Sequence, residues 1–213
     1  MPSPFTLPKI YPITDRTIST LSHSEQLKGF IDGGAAFVQL REKSSSSIEF
    51  FNVAKECLDI SRANGIKLII NDRVDIALAL GADGVHLGQD DLPPDEARKI
   101  LGNDTIVGYS THSLEQAITA CRLPVDYIAI GPIFATKTKL DHDEPVGLKG
   151  IEIVRRAIGD VPLVAIGGIG IDDIPEVLAA GADSAALISS LIAGPESIAN
   201  NCRRAVETAN RRK

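Results

Sequence analysis

Tryptophan is absent from this 213-residue chain, and aromatic residues make up only 4% of it. A buried core must therefore be built from Ile, Leu, Val and Ala, the residues that fill parallel sheets and barrel interiors. Cysteine is scarce as well. Cys57, Cys121 and Cys202 are odd in number, far apart and never in a paired spacing, which suggests neither a disulfide framework nor a zinc site. A reducing cytosol fits, and a cytoplasmic location is the expectation. Positive charge is in deficit, with 22 basic against 28 acidic residues and a net charge of -6. That balance argues against nucleic acid or an anionic membrane as the main partner. No apolar run approaches the length of a membrane span. The first eight residues carry prolines but no apolar segment, so no signal peptide is expected.

What is present is an ordinary globular composition, 44% hydrophobic and 23% charged, arranged as short aliphatic runs that alternate with amphipathic segments. Strands are expected at 10–14, 37–40, 68–70, 84–87, 105–109, 126–130, 162–166 and 184–188. Helices are expected at 24–31, 48–63, 74–80, from the Pro93-Pro94-Asp95-Glu96 start, and at 114–121, 150–158, 173–180 and about 195–208. Gly-Ala-Asp recurs at 81–83 and 181–183 and is echoed at 34–36, marking the helix-to-strand turn in several units. Eight such pairs without a linker or low-complexity tract favour an α/β fold, a single-domain (β/α)₈ TIM barrel spanning 1–213, over an open doubly wound sheet.

In such a barrel the residues just after each strand form the site. The most informative stretch is 67–91, where two strands joined by one helix must run parallel and so deliver Asp72 and Asp91 to the same end. Two convergent carboxylates over a buried sheet are costly unless a cation lies between them. Asn71 precedes Asp72, and each of these three residues could alternatively cap the next helix. Asp90 is a weaker candidate beside Asp91.

The second strand delivers Gln39-Leu40-Arg41-Glu42-Lys43. Arg41 and Lys43 suit an anion clamp, one a planar fork and the other a mobile point charge, although a solvated charged turn would look the same. Ser110-Thr111-His112 ends the fifth strand. A nucleophile-and-base pair is one reading; hydroxyl contacts to substrate and a cap for the next helix is the plainer one. His86 alternates with Val85 and Leu87 and is expected to point inward as a hydrogen-bonded core histidine. The long loop 131–147 holds Thr136-Lys137-Thr138-Lys139, a hydroxyl- and ammonium-rich segment suited to a lid over phosphate. Gly167-Gly168-Ile169-Gly170 and Ile188-Ser189-Ser190 follow the seventh and eighth strands, the usual phosphate site of these barrels, with a purely structural glycine turn as the alternative.

Taken together and in order, Gln39-Leu-Arg-Glu-Lys43, Asn71-Asp-Arg-Val-Asp75, Gly84-Val-His-Leu-Gly-Gln-Asp-Asp91, Ser110-Thr-His112, Gly131-Pro132, Thr136-Lys-Thr-Lys139 and Ala165-Ile-Gly-Gly-Ile169 resemble the thiamine phosphate synthase family over nearly the whole chain. The resemblance implies a Mg²⁺-dependent transferase. It would join 4-amino-2-methyl-5-(diphosphooxymethyl)pyrimidine to 4-methyl-5-(2-phosphooxyethyl)thiazole and release pyrophosphate. It further implies that Gln39, Leu40, Arg41, Glu42, Lys43, Asn71, Ser110 and Lys139 hold the pyrimidine diphosphate, with Arg41, Lys43 and Lys139 neutralising the departing group. By the same resemblance Asp72 and Asp91 bind the metal. The Thr136-Lys137-Thr138 segment, Gly168, Ile188 and Ser189 would hold the thiazole phosphate, with Lys137 itself at a variable position and given no role. Tyr109 stands where the family more often has a small aliphatic residue.

The partners so implied are two small molecules, with neither nucleic acid nor membrane; a homo-oligomer is compatible with the sequence. The rival readings are a thiazole tautomerase, which would lack the metal carboxylates, a metal-dependent sugar-phosphate epimerase, which wants more strand-end histidines, and a non-catalytic phosphate-ligand binder.

Overall fold

The computed structural model describes residues 6–135, 144–193 and 197–211. The chain alternates β1 (Ile10–Pro12), α1 (His23–Asp32), β2 (Phe37–Leu40), α2 (Ser47–Ala63), β3 (Lys67–Asn71), α3 (Val74–Leu80), β4 (Gly84–Leu87) and α4 (Pro94–Leu101). It continues through β5 (Ile106–Thr111), α5 (Leu114–Ala120), β6 (Tyr127–Ile130), α6 (Gly147–Ile158), β7 (Leu163–Ile166), a 3₁₀ turn at Ile171–Asp173, α7 (Ile174–Ala179) and β8 (Ser184–Leu187). Two helices follow, the short α8 (Ser189–Ile192) and α9 (Ile198–Asn210). All neighbouring strands pair in parallel, and β8 pairs with β1. The remaining seam is closed by a bridge between Ile13 and Gln39, where the Thr14 N–H donates to the Gln39 carbonyl at 2.9 Å. The fold is therefore the expected (β/α)₈ barrel.

The period-2 alternation of each strand divides the core. Val38, Leu40, Leu68, Ile70, Val85 and Leu87 face the helices and belong to the larger apolar cluster, while Tyr11, Ile13, Phe37, Ile69, Tyr127 and Val164 fill the barrel interior. Three of the nine aromatics, Tyr11, Phe37 and Tyr127, meet there. Tyr11 meets Phe37 edge-on with ring centroids 4.6 Å apart, and a Cβ on Gly108 would run into the Tyr127 ring. Glycine on β5 thus makes room for tyrosine on β6.

Local signals set the boundaries. Ser22 and Ser46 cap α1 and α2 as capping boxes with Glu25 and Glu49, and Gly34, Gly81 and Gly181 adopt positive φ where the helices hand over to strands. The aspartates of the repeated turn tie the floor of the barrel together. Asp83 accepts the Leu68 N–H at 3.0 Å and Asp183 the Leu163 N–H at 2.8 Å. Asp126, which lacks the Gly-Ala prefix, accepts the Val107 N–H at 2.7 Å. Arg98 and Arg155 complete this layer through ion pairs with Asp126 and Asp183.

The structure departs from the sequence reading at the element ends. β5 runs two residues further than expected, because Ser110 and Thr111 continue the ladder opposite Ala129 and Ile130. α8 was not foreseen; its four residues carry too little periodicity to register. α6 begins at Gly147 rather than 150, and α9 at Ile198.

Candidate active site

The carboxyl ends of the strands surround a cavity of about 660 Å³. Asp72 stands at its edge with φ of 60°, the left-handed region that aspartate tolerates better than most residues. Its N–H donates to the His86 carbonyl at 2.9 Å, which ties the end of β3 to β4. The Asp72 carboxylate lies against both the Lys43 ammonium and the Asp91 carboxylate. Burial raises the Asp72 pKa, the facing Asp91 raises it further, and Lys43 opposes them. Asp91 accepts the Gly88 N–H at 2.7 Å, so its turn is held from below. Neither aspartate caps a helix: α3 has no side-chain cap, and α4 starts at Pro94. The capping alternatives for both residues are thereby set aside.

The pair meets what a hard, partly hydrated divalent cation requires. Two buried-edge carboxylates repel each other until a positive charge joins them, and Mg²⁺ takes one or two carboxylates alongside water and substrate phosphate. Among the described residues no group of three or more His, Cys, Asp or Glu side chains is placed to hold a metal ion, so any such ion would take its remaining ligands from solvent or substrate.

Arg41 lines the cavity and its guanidinium reaches Asp15 at 2.5 Å. Asp15 is almost fully buried and also accepts from the Thr17 N–H and hydroxyl. The sequence reading did not single it out, although it follows β1 as Asp72 follows β3, so the strand-end rule could have found it. Glu42 does not line the cavity. Its burial opposes ionisation, but the Ser44 N–H and hydroxyl, together with His23 at 3.1 Å, outweigh that and bring its pKa down to about 2. His23 in turn contacts the Thr14 hydroxyl at 2.8 Å. Glu42 therefore braces the turn that presents Arg41 and Lys43. Leu40 is fully buried among the helix-facing residues, so only its backbone is available to the mouth.

Inward positions on neighbouring strands supply the polar lining: Gln39 on β2, Asn71 on β3, His86 on β4 and Ser110 on β5. The Asn71 amide nitrogen is buried with no hydrogen-bond partner among the described residues, a donor left for a ligand. His86 is buried as expected, stacked on Tyr127, with Nδ1 2.9 Å from the Tyr127 hydroxyl and Nε2 2.8 Å from Ser110 Oγ. His112 contacts the Gly131 carbonyl through Nδ1 at 2.9 Å, and Ser113 caps α5. Ser110 is thus coupled to a histidine, but to His86 through strand pairing rather than to its near neighbour His112. The capping role expected around 110–112 belongs to Ser113.

The opposite side of the mouth is built from backbone. Gly167 and Gly168 have φ of 100° and 69°, and a Cβ on Gly168 would meet the carbonyl oxygens of Phe134 and Ala135 at 2.6 and 2.8 Å. Gly168, Ile188 and Ser189 all line the cavity. Thr136, Lys137, Thr138 and Lys139 lie outside the described residues. Tyr109 packs outward against the helix-facing core, and burial together with Asp91 and Asp90 raises its pKa. Asp90 lines the rim.

Residues 10–191 match the family model described as thiamine monophosphate synthase. A thiamine-phosphate synthase of Clostridium novyi is 45% identical over 86% of the chain and 90% of the relative. One from Azorhizobium caulinodans is 42% identical over 99% and 100%. Among solved structures, a thiamine phosphate pyrophosphorylase from Pyrococcus furiosus superimposes with a TM-score of 0.85 at 33% identity, covering 94% of this chain and 95% of that one.

Proposed function

This chain belongs to the thiamine monophosphate synthase family, and we propose that the two sides of its barrel mouth divide that family's reaction between a diphosphate site and a phosphate site. The chain is an enzyme that condenses the pyrimidine diphosphate with the thiazole phosphate to give thiamine phosphate and pyrophosphate. The observation that carries the assignment of sides is the Asp72–Asp91 pair beside Lys43 and Arg41. No comparable set of charges stands on the glycine side among the described residues.

In this reading Asp72 and Asp91 hold Mg²⁺, which when bound would neutralise part of the diphosphate charge. Lys43 and Arg41 carry the rest of that load. Asp15 keeps the Arg41 guanidinium oriented, and Glu42 braces the intervening turn. Asn71 and Ser110 offer hydrogen bonds to the pyrimidine side. The Gly167–Gly168 turn, Ile188 and Ser189 hold the thiazole phosphate, where the lack of a Cβ lets backbone N–H groups come close to an anion. Thr136, Thr138 and Lys139 join these sets by family resemblance.

The chemistry then needs no enzyme nucleophile. The bond between the pyrimidine methylene carbon and the diphosphate oxygen breaks, and its electron pair leaves with pyrophosphate. The thiazole nitrogen donates its lone pair to the methylene carbon, and no proton need be transferred. The side chains hold the two partners in line, stabilise the departing charge and exclude water that would otherwise capture the carbon. Pyrophosphate release from the purified protein given both substrates, with and without Mg²⁺, tests the whole reading. Metal-dependent release that also requires the thiazole phosphate is expected. Release at the same rate without it would indicate hydrolysis and overturn the assignment.

A further inference from the structure

Five side chains from five strands make a continuous hydrogen-bonded path beneath the cavity. Gln39 Nε2 donates to the Tyr11 hydroxyl at 3.0 Å, Tyr11 meets the Tyr127 hydroxyl at 2.9 Å, Tyr127 meets His86 Nδ1 at 2.9 Å, and His86 Nε2 meets Ser110 Oγ at 2.8 Å. Both tyrosines are fully buried, Tyr11 at 1% exposure and Tyr127 at 0%. Burial holds both phenols protonated far above the usual range, so each hydroxyl has one hydrogen to give.

Distance alone leaves the tyrosine and histidine contacts open to either donor; we infer a direction from that single hydrogen, starting at the Gln39 amide. Tyr11 accepts from the Gln39 amide, and its own hydrogen goes to Tyr127. Tyr127 then gives its hydrogen to His86 Nδ1. A neutral imidazole that accepts at Nδ1 carries its hydrogen on Nε2, and that hydrogen goes to Ser110 Oγ. Ser110, having accepted from His86, keeps its own hydrogen for the cavity. A serine activated as a nucleophile requires the reverse, a bare histidine nitrogen facing the hydroxyl.

Tyr11, Tyr127 and His86 are then positioning residues, a one-way relay that locks His86 in its Nε2–H tautomer and so makes Ser110 a hydrogen-bond donor to the bound pyrimidine diphosphate. The identity of that ligand rests on the proposed function; the tautomer does not. The relay also gives the barrel's two deepest tyrosines a purpose that apolar packing alone would not require, since phenylalanine would fill the same volume.

The test is a long-range proton–nitrogen correlation spectrum of ¹⁵N-histidine-labelled, ligand-free protein, with the His86 signals identified by their loss in His86→Asn. A neutral ring protonated at Nε2 is expected. Protonation at Nδ1, or at both nitrogens, would overturn the proposal. In Tyr127→Phe, which keeps the ring, His86 should become a mixture of tautomers. KM for the pyrimidine diphosphate should rise about tenfold, the scale of one hydrogen bond, while KM for the thiazole phosphate stays put. An unchanged His86 signature in that variant, or two KM values rising together, would show a merely structural network. Tyr11→Phe, which leaves the Tyr127–His86 bond in place, should give the same change in smaller degree and decides the matter if Tyr127→Phe does not fold. Because the spectrum needs neither substrate nor turnover, its failure is separable from failure of the substrate assignment.

Discussion

The two ends of this barrel use the same residue types to opposite effect. At the floor, Asp126 accepts both the Val107 N–H and the Arg98 guanidinium, and Asp183 both the Leu163 N–H and Arg155. Each carboxylate there meets a backbone donor and a cation, and each arginine also caps carbonyls, Arg98 those of Gly102, Thr105 and Pro124. At the mouth, Asp72 faces a second carboxylate and one lysine, and burial with Asp91 raises its pKa against the pull of Lys43. Saturated charges hold strands in register. Charges left short of a partner are where a ligand contributes the missing interaction, and this incompleteness distinguishes the working end from the structural end.

The widest separation between the two ends should come from Asp72→Asn, which keeps a residue that tolerates the φ of 60°. Turnover is expected to fall by about 10²- to 10³-fold, the scale for losing one preorganised electrostatic contact, while the urea midpoint moves little because the repulsion from Asp91 is lost along with the Lys43 ion pair. Steady-state pyrophosphate release and an unfolding curve on the same sample check both halves, and a collapse of stability would mean that Asp72 is as structural as the floor aspartates. Gly168→Ala comes next. With φ of 69° and two carbonyl oxygens under 3 Å from the new Cβ, it should raise KM for the thiazole phosphate by roughly 30-fold, from left-handed strain of about 1–2 kcal/mol plus displacement of the turn. Unequal movement of the two substrates' KM values is the readout. Asp126→Ala should do the reverse of Asp72→Asn: stability falls by about 1–2 kcal/mol as Val107 N–H and Arg98 lose their acceptor, and kcat holds.

The smallest effect sharpens the comparison within the mouth itself. Glu42 has its pKa brought from its ordinary 4.5 to about 2, so its contribution to stability is complete above pH 4.5 and is lost as the pH falls through about 2. Glu42→Gln should remove that acid limb, worth roughly 2 kcal/mol or less at a rim position. Unfolding curves across that pH range in both proteins measure it. An identical acid limb in the variant would show that Glu42 does not brace the turn.

Much of this was readable before any coordinates. The order of strands and helices, the serine-rich turn at 44–47 that caps α2 through Ser46, the glycines that end helices and the placement of Asp72 and Asp91 at one end all follow from patterns only a few residues long. What a short pattern does not carry has a common cause. Ser110 and His112 are close in sequence, but β-strand alternation turns Ser110 inward, and pairing between β4 and β5 puts His86 beside it. Asp15 lies in a short segment without periodicity; it gains meaning only when barrel closure between β1 and β2 sets it against Arg41.

By itself the amino-acid sequence determined the parallel alternating architecture, the end at which function lies and the chemical kinds of side chain gathered there, because those depend on period and on nearest neighbours along the chain. Only the tertiary structure decided which of those groups touch: Asp72 with Asp91, Arg41 with Asp15, and the run from Gln39 through two tyrosines and His86 to Ser110. Such contacts join residues up to 116 positions apart. They exist because the sheet closes on itself and brings inward positions of distant strands to one level, a relation that no local pattern encodes.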